Sequence, residues 1–326
     1  MAEYTVIEPA QLAGALARYG LPVPASSRAE PRGAMNSGHH VWAGGHRFFL
    51  RLNEPRGEAD AESGLRFEAE VHAYLHQARF PVPELRVALD GRPWVEVAGR
   101  RATLFAYAPG EELAPAAITP ERCRRIGEQL GRLHELAAGF PAARPNPYGA
   151  AWVAEVLRAL APTDPEAAAV VPMLRDELAC AQALPGAPRG LVHGDAFPDN
   201  VLWIGDRVSA ILDWEMSGID PFAYDLGVAV NAWCFAGTFQ AERARALLAG
   251  YRARRRLEPE TAEALYEWSR FAALRFTVAR LRGYRPPGAH GPTPAGKDWR
   301  EFRDRLALLR GMSEPEYRGL VGIGDR

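Results

Sequence analysis

Apolar and polar positions along this chain follow two rhythms, and the change falls near residue 108. Residues 8–19, EPAQLAGALARY, read as a short helix with Pro9 near its first turn and Gly20 past its end. EPRGAMNSGHHVWAGGHRFFLRLNE then alternates and carries GG at 44–45, which predicts two or three antiparallel strands with tight turns. Residues 60–79 show a helical pattern in which Leu65, Val71 and Leu75 share a face, with Phe67 nearby. ELRVAL (84–89), RPWVEVA (92–98, after DG at 90–91) and RATLFAY (101–107) read as three more strands.

The Pro/Gly-bearing connector APGEELAPAAITPER (108–122) follows, and then helices dominate. They are expected at 119–138, with Thr119 as N-cap and Pro120 in the first turn, and near 150–160 and 165–184. The strand GLVH leads into HGDAFPDN (193–200), and VLWIGDRVSAILDWE makes two short strands about GD at 205–206. The remainder reads as helices near 221–235, 239–256, 259–282 and 298–311. The pattern predicts an α+β chain with a small antiparallel-sheet lobe, residues 1–107, and a larger helical lobe, 108–326.

Composition narrows the classes. The 326 residues are 48% hydrophobic and 24% charged, as in a globular protein, and are enough for two lobes. A net charge of −1 argues against a nucleic-acid-binding face. Cations are almost all arginine, with Lys297 the single lysine. Cys123, Cys180 and Cys234 stand far apart without a CxxC pair, so no disulfide framework or metal cluster is expected and a reducing cytoplasm is the natural compartment. The N-terminal MAEYTVIEPAQL has no basic-plus-apolar leader pattern, and no apolar run reaches membrane-spanning length.

The candidate chemistry sits in HGDAFPDN and the hairpin after it. Asp195 and Asn200 are five apart, and Asp213 follows thirteen residues later, at the end of an apolar strand. Phosphoryl transfer from ATP needs such a set: one carboxylate to orient the acceptor hydroxyl and take its proton, and an amide oxygen and second carboxylate to hold Mg²⁺ against the phosphates. An Asx-rich turn with a helix-capping aspartate is the alternative for any one of these residues.

LVHGDAFPDNVLWIGDRVSAILDWE resembles the catalytic core of the aminoglycoside-phosphotransferase-like kinases, distant relatives of protein kinases. DPFAYDLGVAVNAWCF (220–235), ALRFTVARL (273–281), KDWREF (297–302), MNSG and RPNPYG (144–149) resemble the type II homoserine kinases within that superfamily. The resemblance implies a bilobal protein-kinase-like fold that uses ATP and Mg²⁺, with Asp195 as catalytic aspartate and Asn200 and Asp213 as metal ligands. It implies that His193 supports the loop and that Asp225 anchors it through backbone N–H groups, a helix-dipole charge being the other reading of Asp225.

In the sheet lobe the resemblance puts RGAMNSG over the phosphates, through Gly33, Asn36, Ser37 and Gly38. Arg51 takes the strand position of the protein-kinase lysine, a departure that keeps the charge but alters the reach, with Glu68 as ion-pair partner and Glu70 next. LFAY (104–107), with Phe105 and Tyr107, reads as a hinge whose backbone meets adenine, or as a plain core strand. For an L-homoserine acceptor, Asp199, Glu215 and Asp220 are the ammonium candidates. Arg275 and Arg280 are the carboxylate candidates and, five apart on one helix, do not point the same way. The resulting expectation is ATP-dependent phosphorylation of the L-homoserine hydroxyl, feeding threonine synthesis, by an enzyme whose partner is a small-molecule alcohol, without nucleic acid or membrane. The rivals are a kinase for an amino-alcohol, choline-like or antibiotic hydroxyl, and a nucleotide-binding scaffold without catalysis.

Overall fold

The computed structural model describes residues 7–24, 26–30, 36–53, 61–162, 164–181, 184, 186–283 and 298–324. The chain forms two compact units, one of residues 1–110 with 209–215, the other of 111–208 with 216–326. The return of Ser209–Glu215 to the first unit is something a boundary at residue 107 does not express.

The first unit holds helix α1 (Pro9–Arg18), strands β1 (Ser26–Glu30), β2 (Ser37–Ala43) and β3 (His46–Asn53), helix α2 (Ala61–Gln77), and strands β4 (Leu85–Arg86), β5 (Val95–Val97) and β6 (Arg100–Ala106). The strands make one antiparallel sheet in the order β1-β2-β3-β6-β4, with β5 also on β6. Gly44 and Gly45 sit at φ +57° and +77°, the left-handed pair that a two-residue hairpin turn requires, and β2 meets β3 with Ala43 opposite His46. Leu12 and Leu16 of α1 pack with Val41, Leu50, Leu52, Val95 and Leu104 as the core on one side of the sheet. The expected strand over 84–89 shrinks to Leu85–Arg86: Val87 and Leu89 are 56% and 78% exposed, and the Ala88 N–H goes to Arg92 O in the turn. Alternation alone does not make a strand when one face has nothing to pack against.

The second unit starts at α3 (Pro120–Leu136), whose N-cap Thr119 accepts from Arg122 N, followed by α4 (Ala150–Ala159) and α5 (Pro165–Ala181). Strand β7 (Arg189–Val192) enters the HGDAFPDN loop. After it β8 (Val201–Ile204) and β9 (Arg207–Ile211) form a hairpin, and β10 (Gly218–Pro221) returns antiparallel to β7. The helix α6 (Phe222–Trp233) is buried at every residue. A short ladder of β11 (Phe235–Ala236) with β12 (Thr238–Phe239) precedes α7 (Ala241–Arg254), α8 (Pro259–Gly283), α9 (Trp299–Arg310) and α10 (Glu314–Val321). Sequence reading did not anticipate β10, the β11–β12 ladder or α10. Cys123 and Cys234 are both free and buried, and the Cys123 thiol donates to the backbone oxygen of Trp233, the residue before Cys234.

Glycines set the closest helix crossing. A Cβ on Gly127 of α3 would lie 1.8 Å from Leu247 O of α7, and one on Gly250 of α7 would lie 1.9 Å from Arg124 O of α3. Gly127→Ala is therefore expected to lower unfolding stability by about 1–3 kcal/mol, because backbone rather than a flexible side chain must move. Gly14→Ala in α1 meets nothing within 4 Å and should not destabilise. Urea melts of the two variants check both.

Candidate active site

In the second unit the loop after β7 is fixed from three directions. Asp225, at the first turn of α6 and fully buried, accepts from His193 N at 3.1 Å and Gly194 N at 2.8 Å. Its Oδ2 also lies 3.1 Å from Nε2 of His134 on α3, whose Nδ1 is 3.0 Å from the Tyr251 hydroxyl of α7. Burial holds the His134 imidazole below its usual pKa, so it is neutral and offers one N–H to Asp225. Burial alone would raise the Asp225 carboxyl, but the bond from His134 and the backbone bond from Gly194 hold it below its usual range. From below, the Trp233 indole donates to Ala196 O at 2.7 Å, and the Phe197 ring packs on Phe276 of α8 at 4.7 Å.

Gly194 adopts φ +75°, and a Cβ there would lie 3.0 Å from Met216 O, so the turn before Asp195 requires glycine. His193 Nδ1 accepts from Asp195 N at 3.1 Å, a supporting position rather than that of a base. Asp195 is 9% exposed, and Asn200 Nδ2 donates to its backbone oxygen at 2.8 Å and to its Oδ2 at 2.9 Å. The amide nitrogen of Asn200 is thus committed inward, and its carbonyl oxygen is the atom left to offer a hard cation.

In the first unit, Arg51 on β3 donates from Nη1 to Glu68 Oε1 at 2.9 Å and from Nη2 to Glu68 Oε2 at 2.6 Å, and its Nε donates to Asn53 Oδ1 at 3.0 Å. Both members of the pair are buried, Glu68 at 1% exposure. Burial works against the charge on Arg51, but Glu68 overrides it and raises the guanidinium pKa above its usual value. Arg51 is a permanent cation with one N–H left on each of Nη1 and Nη2. Asp213, the sequence-flagged carboxylate, has Oδ1 3.8 Å from Arg51 Nη1 and a half-exposed side chain. It stands at φ +59°, an uncommon setting for a residue other than glycine and one that collects at working sites. Asn36 Nδ2 donates to Glu215 Oε2 at 3.1 Å, tying the edge of β2 to the turn after Asp213.

Other expected positions come out differently. Gly33 lies outside the described residues. Ser37 is buried at the start of β2. The space a side chain on Gly38 would fill is taken by the Phe49 ring, 2.5 Å from a notional Cβ, so packing within the sheet accounts for that glycine. Phe105 is buried between His72 and Arg51. The N–H groups of Ala106 and Tyr107 already go to Glu84 O and Arg47 O, so these two hinge donors are engaged within the unit. The Tyr107 ring carries the Arg47 guanidinium 3.6 Å from its centroid. Asp199 is an exposed side chain in the Pro198–Asn200 turn. Trp214 and Trp233 are both fully buried core.

Among the acceptor candidates, Asp220 and Arg275 are buried in the second unit, while Arg280 is used at its surface, donating to Asp298 O at 2.9 Å and Glu301 at 2.7 Å. Asp220 Oδ2 accepts from Asn146 Nδ2 at 2.7 Å. Asn146 belongs to RPNPYG, which lies along β10: Pro145 bridges Ile219 in parallel, and Ile219 N donates to Arg144 O at 2.7 Å. Burial pushes the Asp220 carboxyl up to about 6. Between its usual value near 3.8 and 6, the folded state therefore holds the proton more tightly than the unfolded chain. Stability is lost as pH rises through that window, by up to about 3 kcal/mol above it. Asp220→Asn should raise the melting temperature by about 2–4 °C at pH 7.5 and give no gain near pH 4, as a pair of thermal melts would show.

Among the described residues no helix is long and apolar enough to cross a membrane, and no three His, Cys, Asp or Glu side chains gather into a group that could hold a metal. A Mg²⁺ that shares its ligands with phosphates and water needs only one or two protein oxygens, and the Asn200 carbonyl oxygen and the Asp213 carboxylate are each hard donors of the kind it takes.

The APH family, described as a phosphotransferase enzyme family, matches residues 29–259. A homoserine kinase of Azorhizobium caulinodans is 33% identical over 328 residues, spanning 98% of this chain and 100% of that protein. One from Methylobacterium radiotolerans is 35% identical over 321 residues, spanning 95% and 96%. Among solved structures, an amicoumacin kinase, hAmiN, in complex with AMP-PNP, Ca²⁺ and Ami superposes with TM-score 0.67 at 15% identity, covering 89% of this chain and 88% of that one. A microcompartment-associated aminopropanol kinase gives 0.62 at 21%, covering 97% and 98%. The structural likenesses bear on the fold, which is the α+β, protein-kinase-like arrangement expected from the sequence.

Proposed function

Because this chain belongs to the APH phosphotransferase family and, over nearly its whole length, resembles proteins named homoserine kinase, we propose that it transfers the γ-phosphoryl group of ATP to the hydroxyl of L-homoserine, the step that commits this amino acid toward threonine. That it is a phosphotransferase acting on a hydroxyl follows from the family. The nucleotide, Mg²⁺ and the particular acceptor are this reading's own.

The observation that carries it is the loop in which Asp225 holds both His193 N and Gly194 N, so that Asp195 and Asn200 are presented as one hydrogen-bonded pair. In this reading Asp195 receives the hydroxyl proton as the acceptor oxygen attacks in line, and its bond to Asn200 Nδ2 fixes its orientation. In this reading the Asn200 carbonyl oxygen and the Asp213 carboxylate would be the protein donors to Mg²⁺, whose charge would offset that of the phosphates. Arg51, kept in place by Glu68, would add a fixed positive charge near the phosphates, beside Asn36 and Ser37, with Glu215 tied to that edge through Asn36. Adenine would meet the 104–107 segment, flanked by Phe105 and Tyr107, through groups other than the engaged Ala106 and Tyr107 N–H.

An ATP-consumption screen over L-homoserine, choline, ethanolamine and aminoglycosides tests the reading. L-Homoserine should give the highest kcat/KM. A better value with any of the others assigns the chain to that acceptor, and nucleotide binding without transfer to any alcohol would make it a scaffold.

A further inference from the structure

Arg275 is 1% exposed on α8, yet its charge has no carboxylate within ion-pair distance among the described residues. Its Nη2 points to the Met216 sulfur at 2.7 Å, a weak acceptor, and its Nε and Nη1 are buried without any hydrogen-bond partner. Its guanidinium carbon lies over the Tyr148 ring, 4.7 Å from the centroid, and over the Phe276 ring, 4.0 Å from the centroid. A buried, permanently charged fork with idle donors is costly unless an anion completes it. The other buried arginine among the described residues, Arg51, is completed in this way by Glu68, and the part-buried Arg270 by Glu177 at 2.7 Å.

The surroundings tie this arginine to both the catalytic loop and Asp220. Met216, which touches its Nη2, also packs against Gly194, the residue before Asp195. Tyr148, over whose ring it lies, is pinned by its N–H to Asn146 Oδ1 at 2.8 Å, and the other end of that amide holds Asp220. Arg275 and Asp220 are thus joined within the second unit by direct contacts, through the Tyr148 ring and the Asn146 amide.

We propose that Arg275 and Asp220 form a two-ended clamp for the head of an α-amino acid, Arg275 taking the carboxylate through its idle N–H groups and Asp220 the ammonium. The clamp rests on the amino-acid reading of the acceptor and makes the carboxylate, not the amine, the feature that selects it. An amino-alcohol of the same length leaves the Arg275 charge unpaired, and a site built around a polar partner rejects analogues that lack it by large factors. RPNPYG then serves to orient Asp220 and to seat Arg275.

The test compares L-homoserine with 3-aminopropan-1-ol, the same molecule without its carboxylate, in the native chain and in Arg275→Met and Arg275→Lys. A thermal-shift titration with L-2-aminobutyrate, which keeps the head and lacks the hydroxyl, is run beside it. The native chain should prefer L-homoserine by about 1,000-fold in kcat/KM, and Arg275→Met should reduce that preference below about tenfold with the loss in KM. Arg275→Lys should restore it in part, since the charge remains but the two-pronged geometry does not. Turnover of 3-aminopropan-1-ol by Arg275→Met reports that the variant is folded.

If L-homoserine is not phosphorylated but L-2-aminobutyrate stabilises the native chain and not Arg275→Met, the clamp stands and the homoserine kinase reading falls. If L-homoserine is phosphorylated with no dependence on Arg275, or if both acceptors are used equally by the native chain, the clamp is overturned and the kinase reading survives. Absence of both turnover and L-2-aminobutyrate binding overturns both.

Discussion

Asp195→Asn should fold normally and lose about 100- to 10,000-fold in turnover. The carboxylate accepts a side-chain bond from Asn200 Nδ2 at 2.9 Å, and a carboxamide oxygen can take over that bond with little change of shape. On the proposed mechanism, what the substitution removes is the basic oxygen that would receive the hydroxyl proton. ATP consumption with L-homoserine, read beside a thermal melt, measures both halves. A folded variant with near-native turnover would take Asp195 out of the chemistry.

Asp225→Ala should cost stability on the order of 3–5 kcal/mol and most of the activity with it. The native carboxylate is fully buried and satisfies two backbone N–H groups of the HGDAFPDN loop and one N–H of His134. Truncation leaves all three buried donors without their acceptor. The pH dependence is diagnostic. The folded carboxyl lies below its usual value, so its stabilising contribution is present above the unfolded pKa and is lost as pH falls through the folded one. The gap between native and variant melts should therefore be widest near neutrality and narrow in acid. A constant gap across pH would mean that packing, not the charge, is what Asp225 contributes.

Local signals carried much of this protein. Thr119 followed by Pro120 marks a helix start without outside help, the GG at 44–45 marks a hairpin, and HGDAFPDN announces a polar loop after an apolar strand. Long-range partnerships left no such trace. His134 is 91 residues from the Asp225 it braces, and Asn146 is 74 from the Asp220 it orients. Each is an ordinary polar residue until the fold brings it to its partner. Arg275 and Arg280 illustrate the same limit: five residues apart on one helix, they point different ways, but only the packing around α8 decides which is enclosed. The helix α10 was legible and passed over, since Ser313 and Glu316 cap each other and Gly322 closes the end at φ +74°. The over-long strand at 84–89 erred the other way, reading as paired a stretch whose Val87 and Leu89 face water.

The membership of Ser209–Glu215 in the first compact unit bears on how the nascent chain matures. Ile211 supplies the N–H that caps Pro81 O, and the Trp214 ring packs on Phe80. A ribosome that has released residues 1–110 has therefore made an unfinished body, and 111–208 must emerge before the missing piece exists. Expression of the amino-terminal portion alone would strand that body with an uncovered seam, whereas a permuted gene that places 209–215 beside it would let it close early.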